Sequence, residues 1–208
     1  MSCVAMMTLL ATASVLANEE IYGFVGSYID LQEVDCAIKP SSDPETGETV
    51  LSICMDSIFN ARYRIEQALS DELTTGAAIE FTVADHYGTP DFADYQTALL
   101  FVVKDDDAYY HLKYTWANAF PTTEGRFAEC GCQHKTNDET RGCEDIVFDP
   151  AVVIDLTHAS RFAIDEYETD PAFEVRGAQA VCIRGQYAET VFEIELEGRK
   201  STADDDGQ

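Results

Sequence analysis

The chain has 208 residues, 46% of them hydrophobic and 11% aromatic, with no long polar linker, so one domain with a real core is expected and wholesale disorder is excluded. A formal charge of −26 repels nucleic acid and anionic lipid, which sets those partners aside. The acid is spread along the chain rather than gathered in one block; a binder for a basic partner or for cations and a surface adapted to salt both fit it, and the even spread favours the second.

Residues 1–17, "MSCVAMMTLLATASVLA", carry no charge and end in Val15-Leu16-Ala17, with residues at the cleavage positions that a signal peptidase accepts. The stretch is too short to span a bilayer comfortably and reads as a secretory signal cleaved before Asn18. It lacks the basic start of most signals, and a buried N-terminal helix is the other reading. No cysteine follows the cleavage point, so no lipid anchor is expected, and no later apolar run approaches membrane length. The expected location is the periplasm or the exterior, with no integral membrane segment left after cleavage.

Period-two alternation then dominates. "YGFVGSYIDLQEV" reads as a strand with Gly26 as a bulge. In "FNARYRIEQAL", Phe59, Ala61, Tyr63, Ile65 and Leu69 share a face opposite Asn60, Arg62, Arg64 and Glu66. "AIEFTVAD" places Ile79, Phe81 and Val83 together, and "TALLFVV" is apolar on both faces, as a central strand is. Asp105, Asp106 and Asp107 form a turn, and "YYHLKYTW" puts Tyr110, Leu112, Tyr114 and Trp116 opposite Tyr109, His111 and Lys113. Further on, "DIVFDPAVVID" is a broken strand and "FEVRGAQAVCIRG" another strand. Between them Ala159, Phe162, Ala163 and Tyr167 have helical spacing, with Thr157 as cap and Asp170-Pro171 as stop. "VFEIELEG" alternates Phe192, Ile194 and Leu196 against glutamates, as a last strand would, and residues 198–208 read as a disordered tail. The expected fold is mainly β, a small antiparallel barrel or sandwich with one short helix.

The succession "ARYRIEQAL … GAAIEFTVAD … GTPDFADYQTALLFVV … YYHLKYTW" resembles secreted OB-type barrels, including the netrin and metalloprotease-inhibitor (TIMP-like) modules, and "ARYR" with "DHYG-x-P-x-F" resembles uncharacterised exported proteins of Gram-negative bacteria. The resemblance implies an OB-like barrel over residues 20–120, a C-terminal part over 121–197 linked to it by disulfides, and one domain over 18–197. TIMP-type inhibition uses an N-terminal cysteine to grip the protease zinc. Here the mature chain would begin at Asn18 and its first cysteine is Cys36, so that mechanism does not carry over.

Cleavage removes Cys3 and leaves six cysteines, an even number in a chain bound for an oxidising compartment. The expected pairs are Cys36–Cys54 across a polar loop, Cys132–Cys143 across an acidic one, and Cys130–Cys182 to staple the C-terminal part. Zinc on Cys130, Cys132, His134 and Cys143 is the rival; the ligand types suit it, but one residue between the first two cysteines is closer than structural zinc sites favour. His134, among Gln, Lys and Thr, reads as solvated. No metal or cofactor is expected.

The loop "DHYGTPDFADY" offers Asp85, His86, Tyr87, Phe92 and Tyr95 as ligand-binding residues for a peptide, protein or glycan. Alternatively Phe92 and Tyr95 pack one barrel end while Asp85 shapes the turn. Gly-x-Ser-x-Gly, His-Glu-x-x-His and Walker patterns are all missing from the sequence. Three functional expectations result: an exported non-enzymatic binding or interaction domain; a periplasmic hydrolase using Asp85 and His86; and an envelope structural protein.

Overall fold

A computed structural model of the protein describes residues 20–35, 40–42, 49–51, 55–136 and 139–205. The expected signal over 1–17 and the expected Cys36–Cys54 bridge lie outside the described residues.

Five strands close into a ring: β1 (Ile21–Val34), β2 (Ser57–Ala68), β3 (Ala78–Asp85), β4 (Thr97–Asp105) and β5 (Ala108–Asn118). Their order is β1-β2-β3-β5-β4, with β4 returning to β1. β1 is long enough to pair with β4 through Ile21–Ser27 and with β2 from Phe24 to Val34. It bends at a register shift between Val25 and Gly26, where a Cβ would come within 2.8 Å of the Phe24 ring and 3.1 Å of Tyr63. Glycine is what lets the strand fold over its own aromatic neighbours.

Alternation decides what faces inward. Phe59, Ala61, Tyr63 and Ile65 of β2 meet Ile79, Phe81 and Val83 of β3 inside the ring, with Leu100 and Val102 of β4. The other face of β4 is buried too: Leu99 and Phe101 lie under a helix. That is why "ALLFVV" is apolar on both faces.

The all-antiparallel expectation is corrected at one place, since β3 and β5 run parallel, through Phe81–Tyr109 and Thr82–Tyr110 alone. Parity requires a parallel neighbour, because an odd number of strands cannot alternate direction around a closed ring. The seam is short, and on one side of it β5 is distorted. Leu100 pairs with Trp116 but Val102 with His111, so Leu112–Thr115 face the single residue Phe101. This bulge reverses the phase of the strand, which corrects the expected faces of "YYHLKYTW". Tyr109 packs on the ring core, Tyr114 is turned out at φ 61°, and Trp116 returns to the core.

Beyond the ring, β6 (Phe120–Pro121), β7 (Phe127–Cys130), β8 (Glu144–Asp145), β9 (Val153–Asp155), β10 (Phe173–Arg176), β11 (Gln179–Cys182) and β12 (Arg184–Tyr187) form two small sheets, in the orders β8-β12-β7-β6 and β9-β11-β10. They share a core of Ala128, Cys130, Ile146, Phe148, Cys182 and Tyr187, so the Cys130–Cys182 disulfide is itself core material. Two short ribbons, 40–42 with 49–51 and 135–136 with 139–140, belong to neither sheet.

The expected helix is α1 (Arg161–Thr169), capped by Ser160, whose Oγ accepts from Ala163 N at 3.2 Å. Thr157 is not the cap; its N–H and hydroxyl both donate to Asp155 Oδ1 in the preceding turn. A second helix, α2 (Ala188–Asp205), replaces both the expected last strand and most of the expected disordered tail. Ala188, Val191 and Phe192 form an i, i+3, i+4 face against Val25, Leu99, Phe101 and Ala117. The Phe192 ring fills the place a side chain at Gly23 would need, and it lies 5.9 Å from the Phe101 ring.

Candidate functional site

The loop after β3 separates the five residues singled out in it. Asp85 Oδ1 accepts from Tyr87 N at 2.8 Å, a turn-shaping bond. His86 is exposed and its Nδ1 lies 2.8 Å from the Met55 carbonyl and 3.5 Å from Asp56, which in turn holds Lys113 at 2.7 Å. Asp85 and His86 thus turn to different partners and form no acid–base pair. Phe92 is 1% exposed: a turn of 3-10 helix, Asp91–Asp94, drives it into one end of the ring beside Tyr63, His111 and Trp116. Tyr95 stacks on Trp116 at 5.4 Å. Phe92 and Tyr95 thus both pack on Trp116 at one end of the ring. Tyr87, at 86% exposure, is the aromatic the loop presents to solvent.

Tyr87 has a partner no local reading reaches. Its ring lies 5.9 Å from Tyr114, the residue the β5 bulge turns outward. Under them, where β3 and β5 part, is a cavity of about 60 Å³ lined by Asp85, Tyr87, Asp91, Phe92, His111, Tyr114 and neighbours. His111, which alternation groups with Lys113, is turned toward Phe81 and Phe92 of the ring. As a residue it is half-buried, but its Nε2 is sealed from solvent and has no hydrogen-bond partner. Burial pushes the imidazole down to about 4, against a weaker upward pull from the Thr115 backbone, so it is neutral at physiological pH.

On the other side of the seam a groove of about 560 Å³ crosses the outer face of β1, β2 and β3. Strand register builds it from two rows. Asp30, Arg62 and Glu80 stand side by side, and next to them Gln32, Asn60 and Thr82. Gln32 Nε2 donates to Asp30 at 2.7 Å, and Arg62 Nε lies 3.6 Å from Glu80. Asp107, in the β4–β5 turn, and Tyr109 border the groove. Sequence alternation puts Asn60 and Arg62 on the polar face; only the pairing of three strands shows that they line up with Gln32 and Thr82.

The cysteine-rich loop is a structural knot. Cys130 bonds Cys182 and Cys132 bonds Cys143, the pairs expected from the sequence. His134 is not solvated as its neighbours suggested: it is 16% exposed, with Nδ1 3.0 Å from Glu195 of α2 and Nε2 3.1 Å from the buried Glu129, the latter off the line of a hydrogen bond. Burial alone would push its pKa down; Glu129 and Glu195 outweigh it and hold the ring charged, up to about 9. Gln186, fully buried, accepts from His134 N and donates to the His134 and Arg141 carbonyls. Arg141 then reaches α2 through Glu193 and both oxygens of Glu197. Among the described residues no group of three metal-type side chains is assembled, and no helix is long and apolar enough to cross a membrane.

Comparison of the chain with protein-family models, curated proteins and solved structures finds no match.

Proposed function

We propose that the chain is an exported, non-enzymatic binding domain of OB-like architecture that holds an extended peptide, protein segment or glycan along the polar groove. Three features support the OB-like reading. The strand order is 1-2-3-5-4, the first strand pairs with both neighbours around a glycine bulge, and a single helical turn between the third and fourth strands fills one end. Barrels of this kind bind along the face of strands 2 and 3 and with the loops after strands 1 and 4.

The observation that carries the proposal is the groove in that position, with amides and a hydroxyl from Gln32, Asn60 and Thr82 beside carboxylates from Asp30, Glu80 and Asp107. Those groups match the hydroxyls and amides of a sugar or peptide chain. Three carboxylates against the one guanidinium of Arg62 disfavour a polyanion. Export is supported by the stretch at 1–17 and by the two disulfides, which persist in oxidising compartments.

The test is a screen of the mature protein on glycan and peptide arrays, followed by Asn60→Ala, Arg62→Ala and Thr82→Ala. Each substitution is expected to weaken the selected ligand by about tenfold, the equivalent of one lost hydrogen bond to a charged or polar partner. Affinities unchanged by all three would remove the groove from the function.

A further inference from the structure

We propose that Tyr87 and Tyr114 are a modification site, an oxidative coupling pair at which a peroxide-dependent oxidant joins the two phenols as a dityrosine and so ties the ring of strands together where β3 and β5 part. This site is independent of the groove: it lies on the other side of the seam and uses different residues.

The fold selects this pair. All ten tyrosines lie within the described residues, and three pairs of them are in contact. Tyr22 with Tyr109 and Tyr28 with Tyr63 meet edge to face, at 87° and 88°. Each of those pairs includes a buried member, Tyr22 in the first and Tyr63 in the second, and a buried phenol is out of reach of an oxidant in solution. Tyr87 and Tyr114 are both exposed, with their centroids 5.9 Å apart and their planes inclined at 43°. A linked biaryl is likewise twisted, neither flat nor perpendicular, so this tilt suits coupling.

Strand direction explains why they meet. β3 and β5 are parallel, so both run the same way from the seam, and Tyr87 and Tyr114 lie five and four positions beyond its last pair, Thr82–Tyr110. Tyr114 is aimed by the bulge. An aromatic residue at φ 61° is uncommon, and the bulge that imposes it is anchored from behind, where Arg199 of α2 donates to Thr115 Oγ1 at 2.7 Å. Strain of this kind gathers where a side chain must be aimed. Tyr87 is placed by its own N–H, which donates to Asp85 Oδ1, while its exposed side chain can rotate the rest of the way.

The oxidant is hydrogen peroxide acting through a haem peroxidase. Each phenol gives up one electron and one proton, and the peroxide takes both pairs and becomes two waters. The two phenoxyl radicals form one carbon–carbon bond between positions ortho to their oxygens. The hydrogens on those two carbons then pass through solvent to the oxygens and restore the phenols, so the product is lighter by two hydrogens. Lys113 lies 5.1 Å from the Tyr114 ring but is held by Asp56, and the phenoxyl formed there is neutral. The four described cysteines are already paired and offer no thiol to quench the radicals. The new bond reinforces a seam that two residue pairs hold, and it restricts the unfolded chain as a disulfide does.

The experiment exposes the mature protein, dilute and at neutral pH, to a haem peroxidase with limiting hydrogen peroxide. It reads dityrosine fluorescence, the mass of the intact chain and the cross-linked peptides after digestion. A monomer lighter by two hydrogens is expected, with Tyr87 joined to Tyr114. The exposed Met55 gains oxygen instead and is told apart by mass. Tyr87→Phe and Tyr114→Phe, each with the fold intact by circular dichroism, are expected to lose the dityrosine fluorescence, and Tyr28→Phe to keep it. The coupled protein is expected to have a higher urea midpoint than the untreated one, while the same treatment leaves the midpoint of Tyr87→Phe unmoved. A dityrosine yield unchanged in either of the first two variants would overturn the proposal. So would links formed only between molecules, links through other tyrosines, or no dityrosine at all. A coupled monomer with an unmoved midpoint would overturn the tie across the seam.

Discussion

His134 and His111 give the protein's stability opposite dependences on pH. His134 is charged in the fold, its pKa raised to about 9 from 6.5, so the stabilisation it contributes is complete below pH 6.5 and is lost as pH rises through about 9. A shift of that size corresponds to about 2–4 kcal/mol. His111 is held neutral, its pKa lowered to about 4, so stability declines as pH falls from 6.5 toward 4, where the unfolded chain takes up a proton that the fold refuses. Urea midpoints measured across the range are expected to peak near pH 6.5. His134→Gln should flatten the alkaline limb and His111→Phe the acid limb; a limb unchanged in its own variant contradicts the assignment. Neither role was legible in the sequence. His134 sits among polar neighbours, and the carboxylates that hold it come from β7 and α2, five and 61 positions away. His111 alternates correctly with its neighbours, but the direction of its strand face is set by a bulge with no local sequence mark.

At the scale of elements, alternation was a good guide wherever one face met one core. β2, β3 and β4 carry their inward residues where period two places them, and Gly26 marks the bend of β1. The failure at α2 has a definite cause. Its buried positions Ala188, Val191, Phe192 and Ile194 are followed at once by Glu195, a carboxylate engaged by His134. That charge falls where the helical stripe would continue, while Phe192, Ile194 and Leu196 also alternate as a strand would. The helix makes a sharp prediction: Phe192→Ala removes the ring packed on Phe101 and Gly23 and is expected to destabilise the protein by about 3–5 kcal/mol in urea unfolding. A loss below about 1 kcal/mol would mean that α2 does not cover β4.

For the whole molecule, α2 packs the C-terminal part against the ring, while the two described disulfides, all four cysteines lying beyond the ring strands, staple the C-terminal part to itself and not to the barrel as expected. Cys130–Cys182 closes a span of 52 residues and Cys132–Cys143 one of 11. On chain entropy the first contributes about 4 kcal/mol and the second about 3. Replacing each pair with alanine should lower the urea midpoint in that order, and equal or reversed losses would show that packing rather than loop closure sets their value. The pairs Cys130–Cys182 and Cys132–Cys143 were legible because a one-residue gap keeps Cys130 and Cys132 from each other and sends each to a more distant partner. The groove was not, because it exists only in the register of three strands. The most direct measurement is an amide and side-chain NMR perturbation map of the mature protein with the tightest array-selected ligand. Binding along the groove predicts shifts concentrated at Gln32, Asn60, Arg62, Thr82 and Tyr109; shifts concentrated on β9, β10 and β11 with that row silent would contradict it.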